Sequence, residues 1–137
     1  MRSLDHVAIA VADLPEAVRR FVDDFGLTCA GTEEVRSAQT TTAFFPVSSA
    51  DRPTMIELVT PLDQAGPIAK SLATRGPGLH HLCFRTDDLA ADVARLSARG
   101  YHFTTEAPTE GAHGSRVIFL HPRSTGGVLI ELTQAGP

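Results

Sequence analysis

Apolar and small residues alternate along DHVAIAVADL (residues 5–14), with the period of two that is typical of a β-strand. Residues 4–12 are therefore predicted to form a strand, with His6, Ala8 and Ala10 on one face and larger apolar residues on the other. The spacing then changes to that of an amphipathic helix, whose apolar face is formed by Ala17, Val18, Phe21, Val22 and Phe25. The pattern thus predicts a strand followed by a helix.

The same order of elements is predicted twice along the chain. In the first half, further strands are predicted near 28–36, 39–47 and 54–60. In the second half, the predicted elements are a strand at 80–86, a helix at 88–99, and strands near 101–106, 115–121 and 127–133. A helix over 67–75 is predicted to link the halves. Segments 4–60 and 78–133 therefore each have the order strand, helix and three strands, which indicates an α+β fold.

The two halves are also similar in sequence, which indicates an internal repeat. Aligning DHVAIAVADL with HHLCFRTDDL places His6 on His81, an offset of 81 − 6 = 75. Aligning MIEL with LIEL places Glu57 on Glu131, an offset of 131 − 57 = 74. Both halves therefore carry a His in the first strand and a Glu in the last strand.

This repeat changes how the four polar residues are interpreted. A single His at the head of a strand is more often a hydrogen-bonded structural residue, and a single Glu in a strand more often faces solvent. If the two copies face each other, however, two imidazole nitrogens and two carboxylate oxygens converge, and this donor set suits a divalent transition ion. We therefore predict a metal site formed by His6, Glu57, His81 and Glu131. The histidines expected in structural or surface roles are His80, His102, His113 and His121.

Composition narrows the class of partner. The 137 residues fit one compact domain over residues 1–137. The formal net charge of −4 and the lack of a Lys/Arg cluster argue against a nucleic-acid partner. No apolar run is long enough to span a membrane, and the N-terminal residues do not resemble a signal peptide. Because Cys29 and Cys83 are isolated and fit reduced thiols, we expect a cytoplasmic protein.

Several segments resemble the vicinal oxygen chelate (glyoxalase/bleomycin resistance) superfamily and, within it, the methylmalonyl-CoA epimerase family. The matching segments are DHVAIAVADL (5–14), PIAKSL (67–72), GLHHLCF (78–84) and GAHGSRVIFLHPRSTGGVLIEL (111–132). The resemblance covers nearly the whole chain, and the last segment is the specific one. It implies two βαβββ modules in tandem that form a cupped mixed β-sheet, with the helices outside.

The resemblance also implies a set of metal ligands. The family pattern has a His that opens the first strand, a Gln or Glu in the fourth strand, the second His of an HH pair, and a Glu in the last strand. In this chain the corresponding residues are His6, Glu57, His81 and Glu131, the same four that the repeat selects. The implied cofactor is a divalent metal ion, most often cobalt, with zinc, nickel or manganese as alternatives. A homodimer is implied as well.

The implied activity is the interconversion of (2R)- and (2S)-methylmalonyl-CoA, an acyl-CoA whose acidic C–H lies between a thioester and a carboxylate. Chelation of both groups by a metal stabilises the enediolate formed when this proton leaves. Epimerisation requires a proton to leave on one face of the carbon and to return on the other. The resemblance makes Glu131 a candidate catalytic base as well as a ligand.

The third strand departs from the pattern of some family members. Those members carry a Glu where this chain has Thr42, which cannot act as a base unaided. The second proton carrier could be a water molecule or a side chain such as Glu33 or Glu34. Two alternatives therefore stay open: another enzyme of the superfamily, such as a glyoxalase-like isomerase or an acyl-CoA decarboxylase, and a binding protein that sequesters a small molecule.

Overall fold

The structure is a computed structural model that describes residues 3–137. The strands are β1 (Ser3–Ala10), β2 (Gly31–Val35), β3 (Thr40–Pro46), β4 (Met55–Pro61), β5 (Gly78–Arg85), β6 (Thr109–Glu110), β7 (Arg116–Leu120) and β8 (Ile130–Gln134). The α-helices are α1 (Leu14–Arg19), α2 (Gly66–Arg75) and α3 (Leu89–Ala98). Within residues 3–137, no helix is long and apolar enough to cross a membrane.

The chain divides into two compact units. The first unit is His6–His80, and the second is His81–Pro137 together with residues 3–5. Each unit contributes four strands, and each has an α-helix after its first strand. The predicted α+β class with two βαβββ modules is confirmed. Helix α2 occupies the segment where the linking helix was expected, whereas a single domain over residues 1–137 stays a prediction.

The first unit has the strand order β2, β3, β4, β1. Strands β1 and β4 are parallel, while β3 is antiparallel to both of its neighbours. Helix α1 begins after Asp13, whose carboxylate accepts a hydrogen bond from the backbone N–H of Glu16 at 3.1 Å. This helix packs on a sheet face that contains the buried residues Ala43, Phe45 and Leu58. Burial of Phe45 and Leu58 contributes roughly 1.5–3 kcal/mol each.

The other face of the first unit carries His6 and Glu57. Side chains alternate along a strand, so Ala10 and Val59 lie on this face too, where they contact Ile68 of α2. This small apolar cluster therefore begins two residues along β4 from Glu57. The opposite face of the same sheet packs against the apolar residues of α1.

The second unit has the strand order β5, β8, β7, β6. Strands β5 and β8 are parallel, and β7 is antiparallel to both β8 and β6. Helix α3 packs through Leu89 and Leu96 against Ile118 and Leu132. Because side chains alternate on β8, Glu131 lies on the face opposite to Leu132 and therefore away from α3.

The predicted strand at 101–106 is wrong. The structure has a single bridge there, between Phe103 and Leu120, and the next strand is the two-residue β6. Tyr101 and Phe103 pack against the apolar cluster under α3 while the backbone stays irregular. Apolar residues at alternate positions of a loop can therefore pack against the core without a ladder of strand hydrogen bonds.

The predicted helix of the first half changes its geometry after Arg19, because a π-helical turn follows over Arg20–Asp24. Hydrogen bonds from residue i to i+5 rotate each residue by a smaller angle about the axis than an α-helix does. The single apolar face expected from the sequence is therefore not continued. Phe21 packs against the core, whereas Val22 is 38% exposed and Phe25 is 61% exposed.

Candidate functional site

The first unit brings together two of the four predicted ligands. Strands β1 and β4 run parallel, with Ala8 beside Glu57. The Nδ1 atom of His6 lies 3.0 Å from Oε2 of Glu57, and the two side chains are only 7% and 11% exposed. On β1 the neighbours of His6 on this face are Ala8 and Ala10, which are both small and buried.

The second unit contains the equivalent pair. Strands β5 and β8 run parallel, with Cys83 beside Glu131. The Nε2 atom of His81 lies 3.0 Å from Oε1 of Glu131, and the side chains are 8% and 10% exposed. The imidazole ring of His81 also packs edge-on against Phe119, at a centroid distance of 5.1 Å. Burial and aromatic packing therefore both restrict this imidazole.

The repeat extends to the residues on either side of each Glu. In the first unit, Glu57 lies between Ala8 on β1 and Phe44 on β3. In the second unit, Glu131 lies between Cys83 on β5 and Phe119 on β7. Each carboxylate thus stands between a small residue and a phenylalanine. Sequence reasoning did not select these two phenylalanines, although their shared offset of 119 − 44 = 75 equals that of the histidines.

Two buried carboxylates on the sheet faces need a compensating group, because an unpaired buried charge is strongly unfavourable. Here one oxygen of each carboxylate lies 3.0 Å from an imidazole nitrogen. Neighbouring ligands at right angles on an ion, with bonds of about 2.1 Å, are also about 3.0 Å apart. Each pair therefore has the donor types and the spacing that fit a transition-metal ion. The same distance of 3.0 Å also fits a direct hydrogen bond between the imidazole and the carboxylate.

Three of the four histidines expected in structural or surface roles lie outside the strands, and their roles stay predictions. His121 precedes a short 3-10 turn and accepts a hydrogen bond through Nδ1 from the backbone N–H of Arg123 at 3.2 Å. His113 lies in the short turn Ala112–Gly114 with a positive φ of 57°. His102 lies outside any strand, since the segment 101–106 is irregular.

Arg85 lies on the same face of β5 as His81, two positions beyond Cys83. Its Nε atom donates to Oδ1 of Asp5 at 2.8 Å, and the side chains of Arg85 and Asp5 are 15% and 26% exposed. The alternation of His81, Cys83 and Arg85 was visible in the sequence, but the partner of Arg85 was not, because the two residues are 80 positions apart.

Thr42, at the position where some family members carry a Glu, is only 3% exposed. It lies between Val59 of β4 and Glu33 of β2. Glu33 is half-buried, whereas Glu34 is exposed. The structure thus places one carboxylate-bearing residue directly beside Thr42.

Residues 5–119 match the glyoxalase/bleomycin resistance protein/dioxygenase superfamily, and the chain belongs to this family. It is 35% identical over 133 residues to the ethylmalonyl-CoA/methylmalonyl-CoA epimerase of Cereibacter sphaeroides, which covers 96% of each protein. The crystal structure of methylmalonyl-CoA epimerase from Mycobacterium tuberculosis is similar with a TM-score of 0.91 and 39% identity, over 98% of this chain and 88% of that one.

A third similar protein has been solved with a ligand. It is a variant of Streptomyces coelicolor methylmalonyl-CoA epimerase in complex with 2-nitronate-propionyl-CoA, with a TM-score of 0.94 and 29% identity over 100% of this chain and 99% of that one. These similarities confirm the predicted family and the prediction of an epimerase-like isomerase. They favour an enzyme over the alternative of a protein that only sequesters a small molecule.

Proposed function

We propose that this chain interconverts (2R)- and (2S)-methylmalonyl-CoA through an enediolate, with a divalent metal ion held by His6, Glu57, His81 and Glu131. The observation that carries the proposal is the pair of buried His–Glu contacts, each 3.0 Å long and each built on parallel strands. The similarity to epimerases of acyl-CoA substrates supports the substrate class.

The donor set supports a transition metal rather than Mg²⁺ or Ca²⁺. Imidazole nitrogen suits cobalt, nickel and zinc, whereas Mg²⁺ and Ca²⁺ prefer sites made only of oxygen ligands. A six-coordinate ion held by these four residues would leave two positions for substrate oxygens. We therefore propose Co²⁺ first, with Zn²⁺, Ni²⁺ or Mn²⁺ as alternatives.

The residues of this chain divide the work between binding and proton transfer. A bound divalent ion would supply charge stabilisation for the enediolate as the α-proton leaves. Glu131 would accept that proton, and the imidazole of His81 beside it would hold the carboxylate in position. Cys83 and Phe119 flank Glu131, whose side chain is only 10% exposed to solvent. A low local dielectric strengthens each of these polar contacts.

Exchange of the α-proton of methylmalonyl-CoA with deuterated water tests the proposal directly. Purified protein should exchange this proton and convert either pure diastereomer into a mixture of both. Treatment with a chelator should abolish both signals, and added Co²⁺ should restore them. Metal-loaded protein that gives no exchange, or exchange with complete retention of configuration, would contradict the proposal.

Thr42 supports a second candidate function, namely another metal-assisted reaction of the same superfamily. Without a carboxylate at this position, the same four ligands would serve a glyoxalase-like isomerase or an acyl-CoA decarboxylase, since these reactions also pass through an enediolate-type anion. Turnover of a glutathione hemithioacetal, or loss of CO₂ from an acyl-CoA, without epimerisation of methylmalonyl-CoA would favour this candidate.

Two further features remain predictions. We propose a homodimer, which the family resemblance implies, and light scattering of the purified protein at several concentrations tests it directly. We also propose a cytoplasmic location, which the isolated cysteines support, and fractionation of the source cells tests it.

A further inference from the structure

We propose that Glu33 is the second proton carrier of the epimerase reaction, in place of the third-strand carboxylate that some family members carry. The inference rests on the proposed function, since it assigns a role within the same reaction. It answers the question that Thr42 raises, because an epimerase needs a proton donor on the face of the carbon opposite to Glu131.

The strand register of the first unit places Glu33 on the same side of the sheet as Glu57. Residues that pair across neighbouring strands point to the same side. Glu57 pairs with Phe44, and two positions further along β4, Val59 pairs with Thr42. Thr42 in turn pairs with Glu33. Because Glu57 and Val59 share a face, Glu33 also points to that face.

The same register excludes Glu34 from this side. Glu34 pairs with Thr41, so its side chain points to the opposite face of the sheet, the face on which α1 packs. It is exposed, and its Oε1 lies 3.3 Å from a guanidinium nitrogen of Arg36. Glu33, by contrast, is half-buried. The structure thus separates two adjacent carboxylates that the sequence leaves equivalent.

The distance between Glu33 and Glu57 follows from the strand register. Two strand spacings and one step of two residues place their Cβ atoms about 12 Å apart in a flat sheet. Thr42 and Phe44 of β3 lie on the same face between the two strands, and both are buried. The proposal therefore requires the acyl group to approach Glu33 over the buried side chains of β3, with the hydroxyl of Thr42 directly beside Glu33.

Within strands β1 to β4, the described residues offer few other proton carriers on this face. The titratable side chains there are His6, Glu57 and Glu33, and the proposed function assigns the first two to the metal. A hydroxyl such as that of Thr42 is too weak an acid and base to act alone, although it can pass a proton between Glu33 and the substrate. Glu33 is therefore the carboxylate that the fold offers for this role.

The proton balance of the reaction is complete with two carboxyl groups. In one direction the C–H bond breaks as the Glu131 carboxylate takes the α-proton, and the electron pair is delocalised into the thioester. The carboxylic acid of Glu33 then gives its proton to the other face of the same carbon, which forms the new C–H bond and leaves Glu33 ionised. Exchange with water resets both groups, and the reverse reaction uses them in the opposite order.

The experiment compares Glu33→Gln with Glu34→Gln and with the wild-type protein, each loaded with Co²⁺. Each pure diastereomer of methylmalonyl-CoA is incubated in deuterated water, and α-proton exchange is measured separately from epimerisation. Glu33→Gln should lower epimerisation about 100- to 10,000-fold, the usual contribution of one acid–base group. It should still exchange the proton of one diastereomer with retention, because Glu131 still serves that face. Glu34→Gln should match the wild type.

Other outcomes of this experiment would overturn the assignment of Glu33 or the proposed function. Epimerisation by Glu33→Gln within threefold of the wild-type rate would overturn the assignment of Glu33. If Glu33→Gln instead loses proton exchange with both diastereomers, the double variant Glu33→Gln/Thr42→Glu is measured as well. The second substitution returns a carboxylate to the same face of the sheet. Recovery of epimerisation in the double variant supports the assignment of Glu33, whereas a lack of recovery overturns it. A wild-type protein that does not epimerise methylmalonyl-CoA would refute the proposed function, and the Glu33 inference with it.

Discussion

Glu57 and Glu131 form a natural matched pair for separating metal binding from proton transfer. Each is a buried carboxylate 3.0 Å from an imidazole nitrogen, on a strand that runs parallel to the strand of its His. The proposed function nevertheless gives them different tasks: both are ligands, but Glu131 alone is a base. Changing either residue to Gln replaces one carboxylate oxygen by an amide nitrogen with almost no change in volume.

The expected cost to the fold is the same for both substitutions. Each variant loses a charge-assisted contact with its His and keeps a neutral one, a difference of about 1 kcal/mol in the free energy of unfolding. For a chain of this length, that corresponds to a shift of about 4 °C in Tm. Thermal unfolding of the metal-free proteins should therefore give similar Tm values for Glu57→Gln and Glu131→Gln.

The expected cost to activity differs strongly. An amide oxygen can still bind a metal ion, so Glu57→Gln should keep kcat/KM for epimerisation within about tenfold of the wild type. Glu131→Gln also loses its base, which should lower kcat/KM about 100- to 10,000-fold, or about 3–5 kcal/mol in the activation barrier. The assay is the epimerisation rate of Co²⁺-loaded protein, with the bound metal measured for each variant.

Two results would refute this reasoning. Equal losses of activity in both variants, at equal metal content, would mean that Glu131 acts only as a ligand. A Glu131→Gln protein with a rate near that of the wild type would remove both its base role and the division of tasks between the two carboxylates.

Three further predictions concern the metal, the acid sensitivity and the core. His6→Ala and His81→Ala should each lose the bound ion and the activity together, and metal analysis beside the rate assay checks this. The hydroxyl of Thr86, which donates to the Asp92 carboxylate, lowers the pKa of that group, with a smaller contribution from a nearby arginine. This stabilisation is therefore present above the carboxyl's unfolded pKa of about 4 and is lost as the pH falls through its folded value, so Thr86→Val should weaken the dependence of Tm on pH below about 4. Leu132→Ala should lower the free energy of unfolding by about 2–5 kcal/mol, because Leu132 is fully buried, and urea denaturation measures this.

The sequence predicts the candidate site because the same His and Glu positions occur in both halves of the internal repeat. The matching offsets of His6 with His81 and of Glu57 with Glu131 select four residues out of 137, and the fold places each His beside the Glu of its own unit. That a single ion bridges the two pairs remains part of the proposal.

The remaining features depend on contacts that are distant in sequence. Whether Glu33 or Glu34 points toward the face of Glu57 is decided by the register of β2 against β3, and a shift of one residue would reverse it. The π-helical turn over Arg20–Asp24 has no clear local signal, and the loop around Phe103 has the alternation of a strand without its pairing.

The pairing of β6 with β7 has a consequence for how a duplicated module can act on a stereocentre. Thr109 pairs with Val117 in the second unit, in the same relation as Glu33 to Thr42 in the first. The two modules thus have the same residue types at the positions that would hold the metal. They differ at the next strand outward, where β2 carries the carboxylate of Glu33 and β6 carries Thr109. Epimerisation as proposed needs one carboxyl group on each side of the carbon, and divergence at these outer positions would provide the second group in one module without disturbing the ligands.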